Sequence, residues 1–280
     1  TGTRAWLSQQ TLGVKYEDWS HWLAADSALA VQTNRFEKTL PYTRSIAHDK
    51  GWQWRIPLTN RNGNGIVFSS KYMTDEEAHD RLINNLGSDP TNDVRKISFK
   101  TGRTKEQWHK NVISIGLASG FLEPLESTSI HLIQSAIVRL LKLFPHNGIQ
   151  QSAVDLYNAE SKTEYETIRD FIILHYTVGK PNEGDFWNYC RKMDIPDSLK
   201  QRINLFSETA QIFKKSDELF RVDSWVQVLI GQGITPASFH HGVLQMPDDD
   251  LKNFLTSYHI GIKKYTQTIP SHIDFINQYL

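Results

Sequence analysis

This 280-residue sequence predicts a mixed α/β (α+β) region followed by a mostly helical C-terminal region. Three observations predict it. Trp52, Gln53, Trp54, Arg55, Ile56 and Pro57 alternate, so an extended strand would place Trp52, Trp54 and Ile56 on one face. From Ile130 onward, Ile133, Ile137, Leu140, Leu141 and Phe144 keep helical spacing. After Pro145 strand signals nearly vanish, and Pro145, Asn147 and Gly148 set a boundary at 145–150 between a first portion, 1–147, and a helical portion, 148–280.

In chain order, Thr3–Leu12 reads as a helix and Ala28–Gln32 as a strand. Trp52–Leu58 and Ile66–Ser70 read as a hairpin, its turn supplied by Asn62 and Gly63 within Thr59–Asn64. Asp75–Leu86 and Lys105–Val112 read as helices capped by Thr74 and Thr104. Val112–Leu117 is apolar and leads into a turn at Gly120. Beyond the boundary, Tyr165, Ile168, Phe171, Ile172 and His175 keep a helical period, as do Leu199, Ile203 and Phe206 after the start signal of Pro196. Ser216–Ile230 and Asp248–Tyr258 complete the helical set.

With 31 basic and 31 acidic residues the chain lacks the charge footprint of a nucleic-acid or anionic-membrane binder. Its single cysteine, Cys190, forms no internal disulfide and reads as a buried structural thiol, which points to a cytoplasmic home. No apolar run approaches the roughly 20 residues that span a bilayer. A chain this long buries roughly 75% of its unfolded surface, enough for one large domain or two small ones.

The segment Gly116–Gln134, GLASGFLEPLESTSIHLIQ, puts an acid at a helix start. Glu126 precedes Ser127, Thr128 and Ser129, where helix amides lack partners and the dipole is positive, so a small anion can rest on the Thr128 and Ser129 nitrogens. The same pattern also describes an ordinary N-cap with a dipole-compensating acid, Ser127 being the favoured cap. Glu123 is a second acid that chemistry alone does not separate from Glu126. Trp52 and Trp54 form an aromatic wall or plain core, since a chain with eight Trp must bury several. His131 reads as a satisfied core histidine; there is no HExxH or other ligand spacing, the adjacent His240 and His241 lack partners, and no metal is assigned.

The WxWxIP run at 52–57, in register with FLEPLESTSIHLIQ at 121–134, resembles the flavin-dependent halogenases of the tryptophan halogenase type. The resemblance extends through YEDWSHWL at 16–23, GWQWRIPLTNRNGNGIVFSS at 51–70, IRDFIILHY at 168–176 and VLIGQG at 228–233. It implies a flavin-monooxygenase-like core portion with a helical substrate-binding or capping region. It implies FAD, reduced by a separate flavin reductase, with a halide ion as co-substrate; oxygen and halide then yield hypohalous acid, which halogenates an aromatic small molecule. On this resemblance Glu126 is the catalytic base with Ser127 beside it, and the Thr128 and Ser129 amides bind halide. Leu117 and Ile130 contact the flavin, and Trp52 and Trp54 keep substrate away from it. Many tryptophan-specific members have glycine where Ser129 stands, so the added side chain bears on halide size.

No GxGxxG is present; Gly63–Gly65 and Gly231–Gly233 read as turns. That fingerprint and the family's essential lysine are expected upstream, the chain covering the C-terminal half or slightly more of such an enzyme. In SDELFRVDSWVQVLIG, residues 216–231, Trp225 and Val226 stand near where tryptophan-specific members carry a tyrosine pair. The substrate implied is an electron-rich indole or phenol without a recognised amino-acid end. A flavin-dependent aromatic hydroxylase and a non-catalytic fragment stay open as alternatives, as does a homodimeric assembly.

Overall fold

The computed structural model describes residues 5–37, 39–178, 184–214 and 218–279. Trp6–Thr11 winds as a short π-helix, followed by β1 (Tyr16–Asp18), β2 (Ser27–Asn34), β3 (Arg44–His48), β4 (Gly51–Pro57) and β5 (Arg61–Phe68). After α1 (Asp75–Asn84) come β6 (Arg95–Ser98), β7 (Gly102–Thr104), β8 (Trp108–His109), β9 (Val112–Ile113) and β10 (Gly120–Phe121). Helices then take over: α2 (Ser129–Lys142), α3 (Gln151–Thr177), α4 (Asp185–Lys192), α5 (Asp197–Thr209), α6 (Val222–Gly231), α7 (Asp248–Thr268) and α8 (His272–Tyr279). The mixed α/β region followed by helices is the architecture the sequence predicts. Among the described residues no helix is long and apolar enough to cross a membrane.

The central layer is an antiparallel five-stranded sheet in the order β3-β4-β5-β2-β6. Side-chain alternation divides it between two cores. Leu29, Val31, Ile66 and Phe68 pack with Ala78, Leu82 and Leu86 of the α1 region. On the opposite face Ala28, Trp52 and Val67 join Ile168, Phe171 and Ile172 of α3, with Phe186, Leu199 and Trp225 behind them. Residues from both sides of position 147 therefore share the larger core. Burying each large side chain there contributes roughly 2–3 kcal/mol.

Strand β4 organises both faces. Trp52 and Trp54 lie on the side of the larger core with ring centroids 6.0 Å apart. Opposite Trp54 in the register is Gly65, where an added Cβ would come within 2.1 Å of the Trp54 ring and 2.5 Å of the Leu29 carbonyl oxygen. Only glycine leaves room for that ring. From the other face Arg55 donates to the Asn85 and Leu86 carbonyls at 2.6 and 2.9 Å, closing the C-terminal end of α1. The N-terminal end carries a full capping box between Thr74 and Glu77, as the Thr74 signal predicts.

Several expectations are corrected. The β4–β5 turn falls at Thr59–Asn60, where the Leu58 amide donates to the Arg61 carbonyl, while Asn62, Gly63 and Gly65 lie inside β5. Asn62 and Asn64 are held there by cross-strand bonds to the Asn34 carbonyl and the Thr33 hydroxyl. Lys105–Val112 is not a helix. Thr104 ends β7 with its hydroxyl donating to the Ser119 carbonyl, and the Gln107 and Trp108 amides both donate to Asn158 Oδ1 of α3 at 2.9 Å. Gly120 sits in β10, paired with Arg103, rather than in a turn. The first helix narrows to Trp6–Thr11, and α6 begins at Val222; Thr3 and Ser216 lie outside the described residues.

The apolar stripe of α2 forms the predicted helix but faces outward. Ile130, Ile133, Ile137, Leu141 and Phe144 are exposed, and Leu132 and Ala136 are the residues it buries. Periodicity establishes that a helix has an apolar face; it does not say what covers that face.

Candidate active site

The small sheet β1-β7-β10 delivers the chain to the site. Beyond Phe121, Leu122 and Glu123 enter the core, and Pro124–Glu126 form one 3-10 turn closed by the Ser127 amide donating to the Pro124 carbonyl at 3.0 Å. Proline opens that turn without loss, because the N–H it lacks would be unpaired there. Ser127 takes left-handed angles, φ 52° and ψ 35°, and swings the chain into α2. A residue with a side chain pays about 1 kcal/mol or more in that conformation. Leu122 and Leu132, packed in one core on either side of the bend, hold it in place.

This turn sends its two acids in opposite directions. The Glu126 side chain keeps 28% of its accessible surface and lies with Oε1 3.0 Å from His175 Nε2 on α3. Glu123 is fully buried, its Oε1 accepting the Tyr176 hydroxyl at 2.5 Å while Oε2 has no hydrogen-bond partner. Burial pushes Glu123 up to about 7, the Tyr176 bond and nearby His175 opposing the shift. Of the two acids, Glu126 alone keeps accessible surface. His175 and Tyr176, adjacent on α3, each hold one of the pair.

Thr128 and Ser129 are the N-cap and first residue of α2, so their amides have no acceptor within the helix. The Thr128 side chain is 3% exposed, and its hydroxyl is buried without a partner. Neither Thr128 nor Ser127 caps the helix through its side chain; the exposed Ser127 turns its hydroxyl toward the Pro124 carbonyl at 3.5 Å. The capping role expected of Ser127 is corrected, since the left-handed backbone points its side chain back over the preceding turn.

Leu117 and Ile130 stand 47% and 78% exposed, large apolar side chains turned out of the core. A cleft of about 560 Å³ opens at Leu117, lined also by Leu7, Val112, Ile115 and Ile133. Leu117 and Ser129 also line one small cavity with Leu132 and Tyr165. At Gly116, φ is +66°, and an added Cβ would lie 3.2 Å from Ile133, so glycine both makes the turn and keeps this surface open. Trp52 is buried in the core that also contains Leu122 and Tyr176. His131 is no core residue: partly exposed, it meets Glu164 at 3.1 Å beside Arg139. Trp225 is buried beneath the Arg202 guanidinium, 4.1 Å from its ring, and Arg202 is clamped by Glu218. Cys190 is a free, buried thiol, as expected.

Sequence reasoning missed His175 and Tyr176 as site residues, reading His175 only as part of a helical period. The available signal was two adjacent polar aromatics closing an otherwise apolar helical run.

The turn thus sets an accessible carboxylate, held by a histidine, just before the unpaired amides of a helix start. The tryptophan halogenase family model matches residues 1–248, and the chain belongs to that family. Among solved structures it is similar to Xcc4156, a flavin-dependent halogenase from Xanthomonas campestris, at 44% identity and a TM-score of 0.97, covering 100% of this chain and 56% of that one. BrvH, a flavin-dependent halogenase from Brevundimonas sp. BAL3, follows at 39% identity and a TM-score of 0.95, covering 99% and 57%. The 7-chloro-L-tryptophan 6-halogenase KtzR of Kutzneria sp. (strain 744) is 32% identical over 99% of this chain and 55% of that protein. The chain spans about half the length of these relatives.

Proposed function

We propose that this chain carries the acid–base half of a flavin-dependent halogenase acting on an electron-rich aromatic small molecule. The observation that carries the reading is the placement of Glu126, accessible and anchored, one turn before the unpaired amides of Thr128 and Ser129. The exposed Leu117 and Ile130, with the cleft that Leu117 lines, fit the face of a flavin ring and would hold it. When bound, the reduced flavin and oxygen supply the oxidising power that turns halide into hypohalous acid.

The chain's own residues account for the rest. The Thr128 and Ser129 amides, with the unpartnered Thr128 hydroxyl, offer donors to a halide without a competing full positive charge. The aromatic carbon attacks the halogen of hypohalous acid, the halogen–oxygen bond breaks and hydroxide leaves. Glu126 then takes the proton from that carbon as the C–H electron pair returns to the ring. Proton and hydroxide sum to water, so the products are the halogenated ring and water. Ser127 adjoins this carboxylate and shapes its approach through the left-handed bend. Trp52 and Trp54 stiffen the wall behind the site and separate substrate from flavin. A flavin reductase is the implied partner, because reduced flavin is consumed. The similarity to a 7-chloro-L-tryptophan 6-halogenase favours an indole ring as the substrate class.

The test uses the native protein with reduced FAD, oxygen, bromide and an indole. The expected product shows the paired isotope pattern of bromine and vanishes without halide. Hydroxylated product at saturating bromide would establish the hydroxylase reading instead.

A further inference from the structure

Resting on the assignment of Glu126 as the base, we propose that His175 is its positioning residue: it fixes Oε1 through a shared proton and leaves Oε2 as the oxygen that receives the aromatic proton. His175 Nδ1 lies 2.8 Å from the Phe171 carbonyl oxygen, which only accepts, so Nδ1 carries a hydrogen. A neutral imidazole then presents a lone pair at Nε2, which faces Glu126 Oε1 at 3.0 Å. Two lone pairs do not hold each other at that distance. One proton therefore lies between the two groups, and the form that leaves Oε2 free to act as a base is imidazolium against carboxylate.

The ring has little freedom to do otherwise. Phe171 stands edge-on to it, centroids 5.1 Å apart, and the carbonyl bond pins Nδ1. The titratable groups around His175 are Glu126 from the loop before α2 and Glu123, whose charge it stabilises; Glu123 in turn meets Tyr176 of α3 and Cys190 of α4. In the step, the ring C–H bond breaks, its electron pair returns to the ring, and the proton goes to Oε2. The shared proton stays on His175 Nε2, hydrogen-bonded to Oε1, so Glu126 leaves the step as a neutral acid and no further oxidant or reductant is needed.

His175→Phe removes the donor, whereas His175→Gln keeps an amide that can donate to Glu126 but cannot titrate. In the native protein with reduced FAD, bromide and an indole, His175→Phe should lower kcat by roughly tenfold or more, the scale on which partners behind a functional ligand act, with KM for the indole little changed. His175→Gln should recover part of that loss, because its amide still donates to Glu126. An unchanged kcat in His175→Phe, or a His175→Gln variant no more active than His175→Phe, overturns the proposal. Should either variant fold poorly, imidazole 15N spectra of the parent protein decide: the His175 signals should move on Glu126→Gln, and unmoved signals overturn it. Loss of halogenation in Glu126→Gln with no effect at His175 would sink this inference alone. Full activity in Glu126→Gln would sink the base assignment beneath it.

Discussion

The Tyr176 hydroxyl donates to Glu123 Oε1 across 2.5 Å inside the core, one residue along α3 from the histidine that meets Glu126. A short turn thus carries one buried acid and one accessible acid, each with its own partner on the same helix. Burial raises the Glu123 pKa from 4.5 to about 7, so between those values the folded chain holds a proton the unfolded chain has lost. The contribution of Glu123 to stability is therefore fully present below about 4.5, falls as pH rises toward 7 and is lost above it. Glu123→Gln should flatten that slope. Urea melts should show the variant gaining stability over the parent by up to about 3 kcal/mol near pH 8, the gap narrowing toward pH 5.

Gly65→Ala drives a methyl group into the Trp54 ring and the Leu29 carbonyl. The carbonyl belongs to a paired strand and cannot retreat. Thermal melts should show a loss of about 1–3 kcal/mol, the usual range for overpacking, with a changed near-ultraviolet signal from the displaced indole.

Thr128→Val replaces a buried hydroxyl that has no partner by a methyl of nearly the same size. Relief of the unpaired polar group should raise stability by about 1 kcal/mol. With that donor gone, KM for bromide should rise while KM for the aromatic substrate holds. A bromide KM equal to the parent's would assign halide binding to the amides alone.

The β4–β5 hairpin was legible because Trp52, Trp54 and Ile56 alternate, and α2 because its apolar residues recur at helical spacing. What misled was long-range partnership. Asn62–Gly63 has the composition of a turn, yet cross-strand bonds to Thr33 and Asn34 draw that stretch into β5. Thr104 has the composition of a helix cap, yet Asn158, some fifty residues later, captures the backbone that a helix would have used. Within the site, Glu126, Thr128 and Ser129 stand out locally because a helix start announces itself. His175 did not, since the residue that makes it chemically distinct is far away in sequence.

That account of the Trp108 loop has its own test. Asn158 accepts from the Gln107 and Trp108 amides and donates to the Trp108 carbonyl at 2.9 Å. Asn158→Ala should cost about 2–4 kcal/mol in thermal or urea melts, because partly buried backbone groups lose their partners together. Asn158→Asp keeps the acceptor and should fall between. Equal melting of Asn158→Ala and the parent would show that the loop is held otherwise.

The central claim rests on one oxygen pair, and the most direct measurement is single-site. In the native protein supplied with reduced FAD, oxygen and bromide, Glu126→Gln should retain the fold and flavin binding and lose bromination by at least about a hundredfold, the scale of lost general-base catalysis. Brominated product formed by Glu126→Gln at a rate near the parent's would contradict the assignment.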